Sequence, residues 1–214
     1  MSDFFIEDDS FLTKEEQDEF LRRIFSDQSF LYGKINWIPE YVPEIIDFQK
    51  TKDKSWQWKN APTVYMQDQK SEPYFQIVSR LDFDIVKDVF EKFCFKHNIK
   101  YDKIIRSKIN IATRSYKEKD SRNYPHVDSI EDHMVFLYYF NDSDGVTEVY
   151  DKKILDVLKT AGNFGELKVS NSISPTAGKG VVFDGKKLHT GFSPKENDLR
   201  ILLNICFTLK KNGE

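Results

Sequence analysis

In Tyr124-Pro125-His126-Val127-Asp128 an imidazole and a carboxylate stand two residues apart. In extended backbone, residues i and i+2 point to the same side, so both groups reach one ion while Val127 turns away. A lone His-x-Asp is weak evidence, since many chains carry one by chance. Its weight comes from what surrounds it. Downstream of about residue 102 the chain reads as short strands, at 103–113, 134–140, 146–151, 166–170, 180–184 and 199–208. Turn chemistry separates them: Asp144-Gly145, Ala177-Gly178-Lys179-Gly180 and Ser193-Pro194. That is the pattern of a β sandwich or barrel.

A second imidazole follows the apolar run Val181-Val182-Phe183 and a turn, in Asp184-Gly185-Lys186-Lys187-Leu188-His189. Two neutral imidazoles and one carboxylate make a facial triad that suits non-haem iron(II) and leaves one side of the ion open. Zinc tolerates the same three ligands. Eleven residues beyond His189, Arg200 begins the apolar strand Arg200-Ile201-Leu202-Leu203-Asn204-Ile205-Cys206-Phe207. A guanidinium holds a carboxylate through two parallel hydrogen bonds, so an inward Arg200 would anchor the far end of a dicarboxylate chelator. Taken without the triad, it reads rather as an exposed Arg at a strand edge. Period-two alternation puts Arg200, Leu202 and Asn204 on one face and Ile201, Leu203 and Ile205 on the other. In the same way, Lys108 and Asn110 alternate with Ile109 and Ile111, which turns the polar pair toward the pocket or toward a wetter sheet face.

With His126, Asp128, His189 and Arg200 stand Leu137-Tyr138-Tyr139-Phe140-Asn141-Asp142 and Asp144-Gly145-Val146-Thr147-Glu148-Val149-Tyr150. In these segments, and in their order over about 102–208, the chain resembles the prolyl-4-hydroxylase-like branch of the 2-oxoglutarate/iron(II) oxygenases. The resemblance implies an α+β, mainly β fold: a double-stranded β-helix, or jelly roll, with N-terminal helices packed on one sheet. It implies iron(II) held by His126, Asp128 and His189, with 2-oxoglutarate and O2 as cosubstrates and ascorbate as a stimulant. Tyr139, Thr147 and Asn204 fall where the family lines the 2-oxoglutarate pocket with Arg200, and Asn110 joins them from the strand 103–113. Ala112 departs from the aromatic often found there. The implied activity is hydroxylation of a peptidyl substrate, prolyl among the options, or of a small molecule, with succinate and CO2 released. A metal-containing jelly-roll binding module without turnover is the alternative from another class, and a zinc hydrolase is a third.

The expected organisation is one domain over 1–214, with a helical and irregular support region at 1–101 and a catalytic core at 102–210. Thr13-Lys14-Glu15-Glu16 is a capping box opening a helix over 13–26. Ile77, Leu81, Ile85, Val86, Val89, Phe90 and Phe93 recur at three- and four-residue intervals, which predicts an amphipathic helix over 76–97. Residues 27–75 lack clean periodicity; Thr63-Val64-Tyr65-Met66 is the best strand candidate there, and Trp56 and Trp58 are expected in the core. The mixed-charge run 117–122 just before the metal pair reads as a substrate lid. His97, at a helix end, and His133 are expected to be structural or solvated. Cys94 and Cys206 read as buried free thiols.

The 214 residues carry 18 Phe and 10 Tyr, enough aromatic mass for a substantial core. A formal charge of −3 supplies no strong basic field for nucleic acid. No apolar run reaches the length of a membrane span, and the acidic start is unlike a secretory signal, so a cytoplasmic location is expected. Oligomeric state is not legible.

Overall fold

The computed structural model describes residues 4–25, 38–40, 76–80, 83–115, 125–129, 131–159 and 167–210. The strand candidate 63–66, Trp56, Trp58 and the lid candidate 117–122 lie outside the described residues. In chain order the elements are β1 Phe5–Asp8, α1 Lys14–Phe25, β2 Ile38–Glu40, β3 Gln76–Arg80, a 3-10 turn Phe83–Ile85, α2 Lys87–Lys96 and β4 Tyr101–Thr113. There follow β5 Met134–Tyr139, β6 Thr147–Lys153, α3 Ile154–Lys159, β7 Val169–Ile173, β8 Gly180–Asp184, β9 Lys187–Gly191 and β10 Leu199–Leu209.

The strands form two antiparallel sheets, one of seven in the order β1-β8-β5-β10-β4-β3-β2 and one of three in the order β7-β6-β9. The central strands of the large sheet are covered on both faces, and for that reason every residue of β5 is buried. On one face, Phe20 and Ile24 of α1 and Val89, Phe90 and Phe93 of α2 pack with Ile109, Phe136, Tyr138, Leu203, Ile205 and Phe207. Phe90 alone meets the rings of Phe83, Tyr101, Phe136 and Phe207 edge-on. On the other face Val135, Leu137, Tyr139, Val181, Phe183, Leu202 and Cys206 meet Val149 and Ile173 of the small sheet. The alternation read for the last strand therefore holds: Leu203 and Ile205 face the helices, and Leu202 faces the space between the sheets.

The capping box forms as expected: the Thr13 amide donates to Glu16 Oε2 at 2.8 Å, and the Glu16 amide donates to Thr13 Oγ1 at 3.3 Å. The helix expected over 76–97 does not form as one element. Residues 76–80 are a strand between β2 and β4, with Gln76 opposite Ala112 and Arg80 opposite Lys108; the helix begins only at Lys87. The apolar spacing fits a helix, but the long β4 would otherwise present an open edge, and pairing along it outweighs the local preference of 76–80. Helix α2 stops where Asn98 takes a φ of 52° and the Ile99 amide donates back to the Cys94 carbonyl. The strand expected at 166–170 lies three residues later, because its register is fixed by Thr147 opposite Ile173. Four elements had no counterpart in the sequence reading: β1, β2, β9 and α3. Both cysteines are free and buried, and burial pushes each thiol up to about 12.

β1 is tied to the helix layer through Asp8, whose Oδ2 lies 2.7 Å from His97 Nε2 and 2.8 Å from Lys96 Nζ, while the Ser10 amide donates to Oδ1. Burial opposes ionisation of Asp8, but Lys96, Ser10 and His97 outweigh it and hold the carboxyl below its ordinary range. A depressed carboxyl pKa stabilises the fold above the unfolded value of about 4, and the gain fades as pH falls through the folded value. Asp8→Asn is expected to cost about 1–2 kcal/mol at pH 7 and less at pH 2, where the contribution has begun to fade, read by urea unfolding at both.

Candidate metal centre

The segment 125–129 runs beside β9. His126 and His189 exchange backbone hydrogen bonds in both directions at 2.9 Å, an isolated antiparallel bridge that sets their rings 4.7 Å apart. Val127 turns to the opposite side and packs with Tyr150 and Leu188, and Asp128 returns to the side of the histidines. Nitrogen or oxygen donors of His126, Asp128 and His189 lie within 4.8 Å of one another. Neither remaining histidine joins them: His97 is held by Asp8, and His133 is buried with Nδ1 2.7 Å from the Glu131 carbonyl.

Each ligand is prepared by its surroundings. His189 Nδ1 lies 3.1 Å from the Lys187 carbonyl, which makes Nδ1 the protonated nitrogen and leaves the Nε2 lone pair facing Asp128 Oδ2 at 3.6 Å. The Asp128 side chain is wholly buried. Burial alone would raise its pKa, but Arg106 and then Lys108 outweigh that and hold it well below the usual carboxylate range. Arg106 Nη2 stands 2.6 Å and Lys108 Nζ 3.6 Å from Oδ1, and Asn204 Nδ2 donates to Oδ2 at 2.9 Å. The acid is therefore ionised and fixed, as a metal ligand needs to be.

Arg106 was missed in the sequence. It shares parity with Lys108 and Asn110, which was an available signal. Just beyond it a β-bulge occurs: opposite β10 the register jumps from Arg106–Cys206 to Ile104–Phe207, so the extra residue Ile105 also faces the space between the sheets. Lys108 reaches Asp128, while Asn110 keeps a buried Oδ1 with no hydrogen-bond partner among the described residues.

A second polar cluster lies along β10. Arg200 and Asn204 are four residues apart on one face, about 13 Å along an extended strand, with Leu202 between them and Tyr139 opposite Leu202 in the register. Arg200 is 5% exposed, and among the described residues no acidic side chain pairs with it. Its Nη2 donates to Thr147 Oγ1, the Tyr139 hydroxyl donates to the same oxygen at 2.7 Å, and its guanidinium carbon lies 5.7 Å from the Tyr139 ring centre. Tyr139, Thr147 and Arg200 thus come together, whereas Asn204 sits on the metal-facing acid. A buried cation with only neutral partners is costly and calls for an anion.

Backbone at Gly191 closes one wall of this cluster: a Cβ there would stand 2.9 Å from Arg200 Nη1 and 3.2 Å from Nη2. Gly191→Ala is expected to displace the guanidinium and weaken binding of a dicarboxylate by about tenfold, measured by calorimetric titration of the metal-loaded protein. At the turn before β9, a Cβ on Gly185 would come 2.2 Å from Nε2 of the buried His133. Gly185→Ala is expected to lower stability by about 2 kcal/mol, read by urea unfolding.

Among the described residues no helix is long and apolar enough to cross a membrane. No protein-family model matches the chain, and no curated protein matches it. Solved structures do. A prolyl hydroxylase from Trichoplax adhaerens, in complex with a hypoxia inducible factor oxygen degradation domain peptide fragment, is 11% identical with a TM-score of 0.56, over 97% of this chain and 84% of that one. A non-heme alpha ketoglutarate dependent carbocyclase from nogalamycin biosynthesis, SnoK, is 8% identical with a TM-score of 0.58, over 96% and 79%. A Pseudomonas putida prolyl-4-hydroxylase is 10% identical with a TM-score of 0.50, over 98% and 94%. The chain shares the fold of 2-oxoglutarate/iron(II) oxygenases, prolyl hydroxylases among them.

Proposed function

We propose that this chain is an iron(II)- and 2-oxoglutarate-dependent dioxygenase on a double-stranded β-helix, hydroxylating a peptidyl or small-molecule substrate. The observation that carries this is the pairing of two clusters on one strand. Asn204 secures the carboxylate of a His-Asp-His triad, and four residues away on the same face a buried guanidinium stands without an acid among the described residues. Other metal-binding readings account for the triad, but they leave Arg200 unexplained; a dicarboxylate chelator accounts for both.

His126, Asp128 and His189 would hold iron(II), and Arg200 with Thr147 and Tyr139 would hold the remote carboxylate of 2-oxoglutarate. Bound there, the metal and 2-oxoglutarate would supply the chemistry by which O2 gives one oxygen atom to the substrate and the other to succinate, with CO2 released. The chain's own part is orientation and exclusion of water. The Lys187 carbonyl fixes the His189 tautomer. Arg106 and Lys108 keep Asp128 ionised. The apolar walls Leu137, Leu202 and Val149 keep the interior between the sheets dry, which strengthens each charged contact there. A carboxylate at position 128 supports hydroxylation over halogenation. The peptide-bound relative makes peptidyl, including prolyl, targets the first to try, and ascorbate belongs in the assay as a candidate stimulant.

Anaerobic addition of iron(II) and 2-oxoglutarate is expected to give a visible charge-transfer absorption that His126→Ala lacks. No absorption in the wild type, together with no succinate formed when air is admitted, would count against the proposal.

A further inference from the structure

The two carboxylate oxygens of Asp128 meet different neighbours. Oδ2 is the one 3.6 Å from His189 Nε2, and it accepts a hydrogen bond from Asn204. Asn204 is a neutral donor and leaves Oδ2 a lone pair for a cation, whereas a metal ion approaching Oδ1 would meet the charge of a guanidinium. Oδ1 already has Arg106 Nη2 against it at 2.6 Å. The same nitrogen lies 3.5 Å from Asn204 Oδ1 and 3.4 Å from Cys206 Sγ. Arg106 is thereby lodged between the acid and the residue that orients it. Lys108 stands beyond hydrogen-bond distance of the acid.

We propose that Arg106 is a positioning residue of the metal centre: by holding Oδ1 it makes Asp128 a one-oxygen ligand through Oδ2 and reserves a coordination position for the chelating cosubstrate. The inference rests on the iron and 2-oxoglutarate reading above. A carboxylate free to turn can bind a divalent cation through one oxygen or both. With two imidazoles, a two-oxygen Asp128 would fill four of six octahedral positions, leaving a chelator and a third reactant to compete for two. A one-oxygen Asp128 leaves three, enough for both. Regular alternation with Lys108 and Asn110 turns Arg106 to the inner face opposite Cys206, and this makes the contact available.

The test separates metal binding from chelator binding. Metal-free full-length protein is titrated with manganese(II), and the loaded protein is titrated anaerobically with 2-oxoglutarate, for wild type, Arg106→Gln and Arg106→Lys. Arg106→Gln is expected to weaken 2-oxoglutarate binding about tenfold or more, while manganese binds as tightly as in wild type or tighter, since a competing cation is gone. Arg106→Lys recovers most of the chelator affinity, because an ammonium still occupies Oδ1. Parallel loss of both affinities, as a merely structural role would give, or no change in either, overturns the proposal. A crystal structure of manganese-loaded wild type reads the same point with no substitution: ligation by Oδ2 alone is expected, and ligation by both oxygens overturns it. Wild type that binds no manganese overturns the oxygenase reading as well; wild type that binds both ligands beside an unaltered Arg106→Gln overturns this inference alone.

Discussion

Asp128→Asn is expected to abolish divalent-metal binding and also to lower the stability of the metal-free protein by about 3 kcal/mol. The second effect follows from what the amide leaves behind. Arg106 and Lys108 would face a neutral group in a buried site, and removing one member of a buried ion pair strands its partners. Because the folded pKa of Asp128 lies below the unfolded value of about 4, its contribution is complete above that pH and is lost as pH falls through the folded value. Wild type should therefore lose on acidification a component of stability that the Asn variant lacks at every pH. Urea unfolding of both proteins without metal, at pH 7 and at pH 3, checks the stability statement, and manganese titration checks the other. A variant as stable as wild type at pH 7 would show that the carboxylate is not holding the two cations.

Arg200→Met should act in the opposite sense on stability while being as damaging to function. The guanidinium is buried with neutral partners, Thr147 and Tyr139, so replacing it by an apolar side chain of similar reach removes a desolvated charge. The metal-free variant is expected to be more stable than wild type by about 1–2 kcal/mol. Binding of 2-oxoglutarate to the metal-loaded protein is expected to fall by about a hundredfold or more, the scale of losing one partner of a buried charged hydrogen-bonded pair. Manganese affinity should hardly move, since Arg200 does not touch the triad residues. Such a gain in stability with a loss of ligand is the mark of a residue retained for binding. A destabilised Arg200→Met that still binds 2-oxoglutarate would mean that the cation serves the fold alone.

The two variants divide between them what local sequence could and could not convey. Spacing put His126 and Asp128 on one side of an extended segment, and the structure keeps Val127 on the other. The parity of β10 was equally readable, because each residue of a strand constrains the next. So was the Thr13–Glu16 capping box, whose partners are three residues apart. The helix over 76–97 failed at its first half because an apolar spacing of three and four residues does not exclude a strand when a long neighbour needs an edge partner. The parity of Arg106 with Lys108 and Asn110 was readable too, but its partner was not, because no pattern within β4 records that Asp128 lies against that face.

Determined by sequence alone were the residue types able to hold a divalent cation and its chelator, and the faces those residues take within each strand, since both follow from side-chain chemistry and a two-residue period. Decided only by tertiary structure were the partner of each charge and the edges of the large sheet. Arg106 was set on Asp128, Asn204 on the same acid, and Arg200 on Thr147 and Tyr139, while β1 was added at one edge of the sheet and β3 and β2 at the other. These depend on register between distant strands, which is fixed when whole sheets pack and the lowest-energy pairing of buried charges is found.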